Sequence, residues 1–261
     1  MHKKIASLLL GLALLASACA TPASMPVAAT PQMKVGSDGQ PARYSLQRAE
    51  MLKKRAQKGG YDVLFLGDSI THQWEWVCGA QNEGRTRFDK TGGKAVWDAK
   101  IAPLGAEPSG IGGDRTEHLL WRIEDGLLDG KADPRVVVLM IGTNNTGHRM
   151  DSPADIAAGV GAIVRAVQKR KPAVKILVLG IFPRGEKSDD PKRVNNTRAN
   201  ALIAKLADGK NIFYKDIGGA FLAGDGSLER AVMPDFLHLN TEGFNRWADA
   251  IIPDIKQLLG K

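Results

Sequence analysis

Four short runs of large aliphatic and aromatic residues, at 63–66 (VLFL), 136–141 (VVVLMI), 176–179 (ILVL) and 212–214 (IFY), alternate with longer stretches whose apolar residues recur at helical spacing. Runs without a polar face must be covered on both sides. Helices inserted between consecutive strands provide that cover and hold the strands parallel, so the alternation predicts an α/β chain folded as a three-layer α/β/α sandwich. The helical stretches fall at 117–128, 154–169, 194–206 and 242–259. A weaker, glycine-containing run at 108–111 supplies one more strand, for about five in all.

The chain begins MHKKIASLLLGLALLASACA, with Lys3 and Lys4 ahead of an apolar run and then small residues, the pattern of an export signal over residues 1–20. Neither this run nor any later segment reaches the roughly 18 uninterrupted apolar residues of a spanning helix. The ending LLASAC resembles a lipobox, which would leave Cys19 as a lipid-bearing N-terminus; cleavage after Ala20 by an ordinary signal peptidase is the alternative. Either cut places the protein in the periplasm or cell envelope, touching membrane only through an N-terminal lipid anchor. Cys78 is then the one thiol of the folded part, so no intramolecular disulfide can form. The formal net charge of +8 reads as a solvated basic surface facing an anionic envelope, since an exported protein has little access to nucleic acid.

Residues 21–44, rich in Pro, Ala and small polar side chains, predict a flexible spacer ahead of one domain at 45–261. Ser45 is the expected cap of a helix that Gly59 and Gly60 end.

In parallel α/β sheets ligands sit beyond the C-terminal strand ends. Here those ends read GDS, GIGGD, GTNN, GIFPRGE and, at some distance, DFLH. Ser69 follows the first run directly and is the nucleophile candidate, and a serine needs a base. Of the five histidines only His238 has a carboxylate, Asp235, at a spacing from which it can fix the imidazole in a turn. Acyl transfer also needs donors aimed at a developing oxyanion. Gly113 and Asn144 stand at two further strand ends, one with a backbone free to approach closely and the other with a neutral amide donor. Each feature alone has a plainer explanation as a turn, a helix start or a polar loop.

Taken together and in order, GDSI, GIGGD, GTNN and DFLH resemble the blocks of the SGNH, or GDSL, hydrolases. The longer stretches SGIGGDRTEHLLWRIEDGLL, VVVLMIGTNNTGH and DFLHLNTEGF are similar to the catalytic subunits of platelet-activating factor acetylhydrolase and their bacterial relatives. The resemblance implies a flavodoxin-like sandwich of five parallel strands and a serine esterase of short acyl groups, acetyl above all. It implies Ser69 as nucleophile, His238 as base and Asp235 as its partner, with the Ser69 N–H, the Gly113 N–H and the Asn144 amide as oxyanion hole. It also implies that no cofactor is used and, by analogy with subunits that pair, a homodimer. The substrate expected is a small-molecule, lipid or carbohydrate ester. A carbohydrate O-acetylesterase acting on polysaccharide is the alternative enzyme, and a non-catalytic ligand-binding lipoprotein on the same fold the alternative from another class.

GIGGDR is not a dinucleotide fingerprint, because Arg115 stands where the last glycine is needed, and no metal-ligand spacing occurs. The N-x-T sequons at Asn144 and Asn195 are incidental in a bacterial-type exported chain. Trp74 and Trp76, just past Ser69, and Arg184, in FPRGE, are candidate substrate contacts, while Trp97, Trp121 and Trp247 read as core.

Overall fold

The computed structural model describes residues 25–82 and 89–261. Helix α1 (Arg43–Lys58) leads to strand β1 (Val63–Gly67) and a short α2 (Ser69–His72). A helical segment opening as α3 (Lys94–Val96) runs on through tighter and wider turns to Leu104. Then follow β2 (Ala106–Gly110), α4 (Thr116–Arg122), β3 (Val136–Met140), α5 (Thr143–Arg149), α6 (Pro153–Arg170), β4 (Lys175–Leu179), α7 (Pro191–Ile203), β5 (Ile212–Lys215) and α8 (Thr241–Leu259). The five strands are all parallel in the order β2-β1-β3-β4-β5, which is the predicted three-layer α/β architecture. The weak run at 108–111 is the end of β2, an edge strand.

Side chains of a strand alternate between faces. Phe65, Val138 and Leu177 therefore join one core with Trp97, Phe244, Trp247 and Ile251, whereas Leu64, Val137 and Val178 join the other with Leu119, Ile163 and Ala199. Helix boundaries follow side-chain chemistry. The Ser152 hydroxyl accepts the Asp155 N–H at 3.1 Å ahead of Pro153, the Asn240 amide oxygen accepts the Gly243 N–H at 3.0 Å, and Gly260 closes α8 at φ 72°. Among the described residues no helix is long and apolar enough to cross a membrane.

The start of the domain differs from expectation. Ala42, not Ser45, precedes α1, and Ser45 is buried inside its first turn. The described part of the expected flexible spacer, though largely exposed, is held at points along it: Ala28 and Ala29 are buried, and the Thr116 hydroxyl donates to Ala28 O at 2.8 Å. The Gln32 N–H donates to Glu117 O at 3.1 Å, and the Ala42 N–H to Lys34 O at 2.9 Å. Small Ala side chains, which weaken any apolar pattern in sequence, are what let a strap lie close against α4 and α6. Residues 1–24, with the export signal and Cys19, lie outside the described residues.

Candidate active site

Strand β1 runs into α2 through a single residue, Asp68, and the turn is tight. A Cβ on Gly67 would stand 2.1 Å from Thr71 Oγ1 and 2.5 Å from Met140 O, so only glycine fits there. Asp68 is fully buried and caps α2, its Oδ1 accepting the Ile70 N–H at 3.0 Å. Within residues 63–74 every side chain is buried except Ser69, which is half-buried. The strand end thus delivers one hydroxyl to the surface.

His238 meets it. Its Nε2 lies 3.0 Å from Ser69 Oγ, and its Nδ1 lies 2.8 Å from Asp235 Oδ2. The other Asp235 oxygen accepts the backbone N–H groups of His238 at 2.7 Å and Leu237 at 3.1 Å. Burial raises the Asp235 pKa, but the hydrogen bond and charge of His238 outweigh it and hold the carboxyl below its ordinary range. The turn carries strain, since Phe236 has φ 57°, a left-handed conformation costly for a bulky residue. Two contacts hold it: Phe236 O accepts the Gly185 N–H at 2.9 Å, and the Arg230 guanidinium sits 4.2 Å from the centre of its ring.

The strands on either side of β1 bring the donors. Gly113, three residues past β2, has φ 75°, and its N–H has no acceptor among the described residues. Asn144, in the first turn after β3, gives one amide hydrogen to Asp114 O at 2.9 Å, leaving the second for another acceptor. Ser69 opens α2, so its own N–H has no intrahelical partner. Behind these donors lies a buried bracket that the sequence reading missed. Arg122 Nε pairs with Asp114 Oδ2 at 3.0 Å, and the same guanidinium donates to Gly67 O at 3.0 Å and Ser109 O at 3.2 Å, tying the ends of β1 and β2 to the Gly113 turn. Its only sequence sign was an arginine at helical spacing after GGD.

Of the three expected substrate contacts, the two tryptophans are turned away from the surface. Trp74 is fully buried, its ring centre 4.4 Å from that of Phe244 and 4.8 Å from that of Trp247, and it is core. Trp76 is also buried, against the His72 ring at 5.1 Å between centres. Half-buried Arg184 donates to Thr143 O at 2.8 Å and Thr143 Oγ1 at 3.1 Å, which braces the residue before Asn144. His72 and His148 do border the Gly112–Gly113 turn: Cβ atoms built there would lie 4.0 Å from His72 Nδ1 and 3.9 Å from His148 Cε1. Cys78 is exposed, and no group of His, Cys, Asp and Glu among the described residues is placed to hold a metal ion.

Residues 65–246 match the model of the GDSL-like lipase/acylhydrolase family. The chain belongs to this family. This GDSL-like acylhydrolase is 37% identical over 199 residues to the platelet-activating factor acetylhydrolase IB subunit alpha2 of Rattus norvegicus, covering 76% of this chain and 77% of the relative. Its fold is shared with an acetylxylan esterase of Geobacillus stearothermophilus (TM-score 0.55, 24% identity, 76% of this chain and 94% of the other). It is shared equally with a carbohydrate acetylesterase of Sinorhizobium meliloti (TM-score 0.55, 22% identity, 76% and 99%). Family membership makes the protein an ester hydrolase.

Proposed function

We propose that this ester hydrolase removes short acyl groups, acetyl above all, from the alcohol of a lipid or carbohydrate through an acyl-enzyme on Ser69. The observation that carries the reading is the unbroken chain from Asp235 to His238 at 2.8 Å and from His238 to Ser69 at 3.0 Å. Ser69 Oγ attacks the ester carbonyl as His238 Nε2 takes its proton, while Asp235 holds Nδ1 and offsets the imidazolium charge. The tetrahedral oxyanion accepts from the N–H groups of Ser69 and Gly113 and from the Asn144 amide. His238 returns the proton to the leaving alcohol, and water repeats the cycle to free the acid and Ser69. The acyl preference follows the acetylhydrolase relative, and a non-catalytic binding role sits poorly with a site in which nucleophile, base and three donors all stand.

We further read residues 1–20 as directing export. If Cys19 bears lipid, the protein is tethered to the membrane through its N-terminus.

Ser69→Ala is expected to abolish hydrolysis of short-chain p-nitrophenyl esters and labelling by a serine-directed fluorophosphonate. Retained turnover overturns the assignment. An ester panel that compares acetate released from acetylated xylan with acetate released from acetylated glycerolipid decides between the carbohydrate and lipid substrates.

A further inference from the structure

We infer that Lys34, carried on the N-terminal strap, is a positioning residue of the oxyanion hole: its ammonium fixes and polarises the Gly112–Gly113 peptide whose N–H receives the oxyanion. The inference rests on the proposed role of that N–H.

A peptide unit is planar, and its C=O and N–H point in opposite directions. The carbonyl of Gly112 and the N–H of Gly113 belong to one such unit, so whatever holds the carbonyl aims the N–H. Lys34 Nζ donates to Gly112 O at 2.5 Å and lies 3.6 Å from Asp114 Oδ1, so one ammonium grips the turn on both sides of Gly113. A Cβ built on Gly113 would stand 2.9 Å from that Nζ. Without such a grip the unit is free to turn, because glycines on both sides of the bond tolerate many backbone conformations. A cation on the carbonyl oxygen also draws electron density from the amide, and charge-assisted hydrogen bonds of this kind are the strong ones.

The strap is built to deliver this side chain. Ala28 and Gln32 are tied to Thr116 and Glu117, at the start of the helix that follows the Gly113 turn. Beyond Lys34 the chain doubles back, with Val35 bridged to Pro41 and the Ala42 N–H returning to Lys34 O at 2.9 Å. The lysine stem lies largely inside, its side chain 20% exposed. A lysine kept for solubility would not be held between two anchored segments with its charge turned inward.

The test uses the full chain. Lys34→Met keeps the stem and removes the ammonium, and Lys34→Arg restores a cation. Expected for Lys34→Met is a fall in kcat on a short-chain p-nitrophenyl ester of at least about tenfold, below the 10²–10³ that follows loss of a whole oxyanion donor, with KM changed less than about threefold. Affinity for a short-chain boronic acid, which forms a tetrahedral anion on the nucleophilic serine, should fall by a comparable factor, and Lys34→Arg should recover most of both. If Lys34→Met does not fold, Lys34→Leu, which also lacks a donor, takes its place under the same criteria. A kcat fall of less than about tenfold, a change confined to KM, or unchanged boronate affinity overturns the inference. The Ser69→Ala control separates the two failures: a silent Ser69→Ala with a normal Lys34→Met sinks this inference alone, whereas an active Ser69→Ala sinks the acyl-enzyme reading beneath it.

Discussion

Replacing Asp235 by asparagine tests the site more sharply than deleting its nucleophile, because the change leaves the geometry and alters one proton. The Asn oxygen can keep the place of Oδ1, which accepts the N–H groups of His238 at 2.7 Å and Leu237 at 3.1 Å, so the turn into α8 stays formed. The amide NH2 then faces His238 Nδ1, where a carboxylate oxygen now lies at 2.8 Å. A donor at that place favours the tautomer whose proton sits on Nε2, and such a ring cannot take the Ser69 proton across the 3.0 Å contact. In a fully buried serine triad the same exchange lowers kcat about 10⁴-fold. The Asp235 side chain is 39% exposed, so water can replace the amide at Nδ1 part of the time, and the expected loss is about 10²–10⁴-fold. The assay is kcat on a short-chain p-nitrophenyl ester together with the rate of fluorophosphonate labelling, both at an unchanged thermal midpoint. A folded Asp235→Asn within tenfold of wild type in both refutes the tautomer argument.

Two further outcomes follow from buried side chains. Burial first, then the charge of Asp114, lifts the Asp68 carboxyl from 3.8 to about 7, and an acid with a raised folded pKa contributes stability that is full below pH 3.8 and lost as pH rises through 7. Three pKa units correspond to about 4 kcal/mol, so the stability of Asp68→Asn relative to wild type should climb by several kcal/mol between pH 4 and pH 8 in urea unfolding; a flat difference refutes the shift. Trp74→Ala should cost about 3–5 kcal/mol in the same measurement by opening a cavity among Phe244, Trp247 and Trp97, with KM little changed. A large KM effect with full stability would return Trp74 to the substrate.

The sheet was legible because its central strands β1, β3 and β4 are buried on both faces and leave uninterrupted apolar runs, and each of the four strong runs, half-buried β5 included, is a strand within one or two residues of its expected ends. Ser69, Gly113 and Asn144 stood out because they follow strand ends in short blocks, and Asp235 with His238 because a carboxylate three residues ahead can reach an imidazole; the structure brings Ser69, His238 and Asp235 within hydrogen-bonding distance in turn. What was not legible has separate causes. Trp74 and Trp76 follow Ser69 closely in sequence, but the tight turn after α2 and the extended residue beyond it carry both rings inward, and nearness along the chain says little about direction. The strap failed for the opposite reason, since its contacts are backbone hydrogen bonds and Ala packing, which have no periodicity to read. Arg122 and Asp114 could not be paired from the sequence, because only the fold shows that they face each other under the site.

The strand order explains why these particular loops meet. With β1 between β2 and β3, the residues just past three adjacent strand ends lie side by side, and Ser69, Gly113 and Asn144 are those residues. The Asn144 loop has β4 beyond it, and Arg184, which follows β4, braces that loop through Thr143. The Gly113 loop has no such neighbour, because β2 is the edge of the sheet. A donor hung from an edge strand, on a turn of two glycines, needs support from outside the sheet. The strap lies on that side and sends Lys34 to the Gly112 carbonyl, so the segment with the least regular sequence adds to the hold that Arg122 and Asn144 have on Asp114 a grip on the preceding peptide.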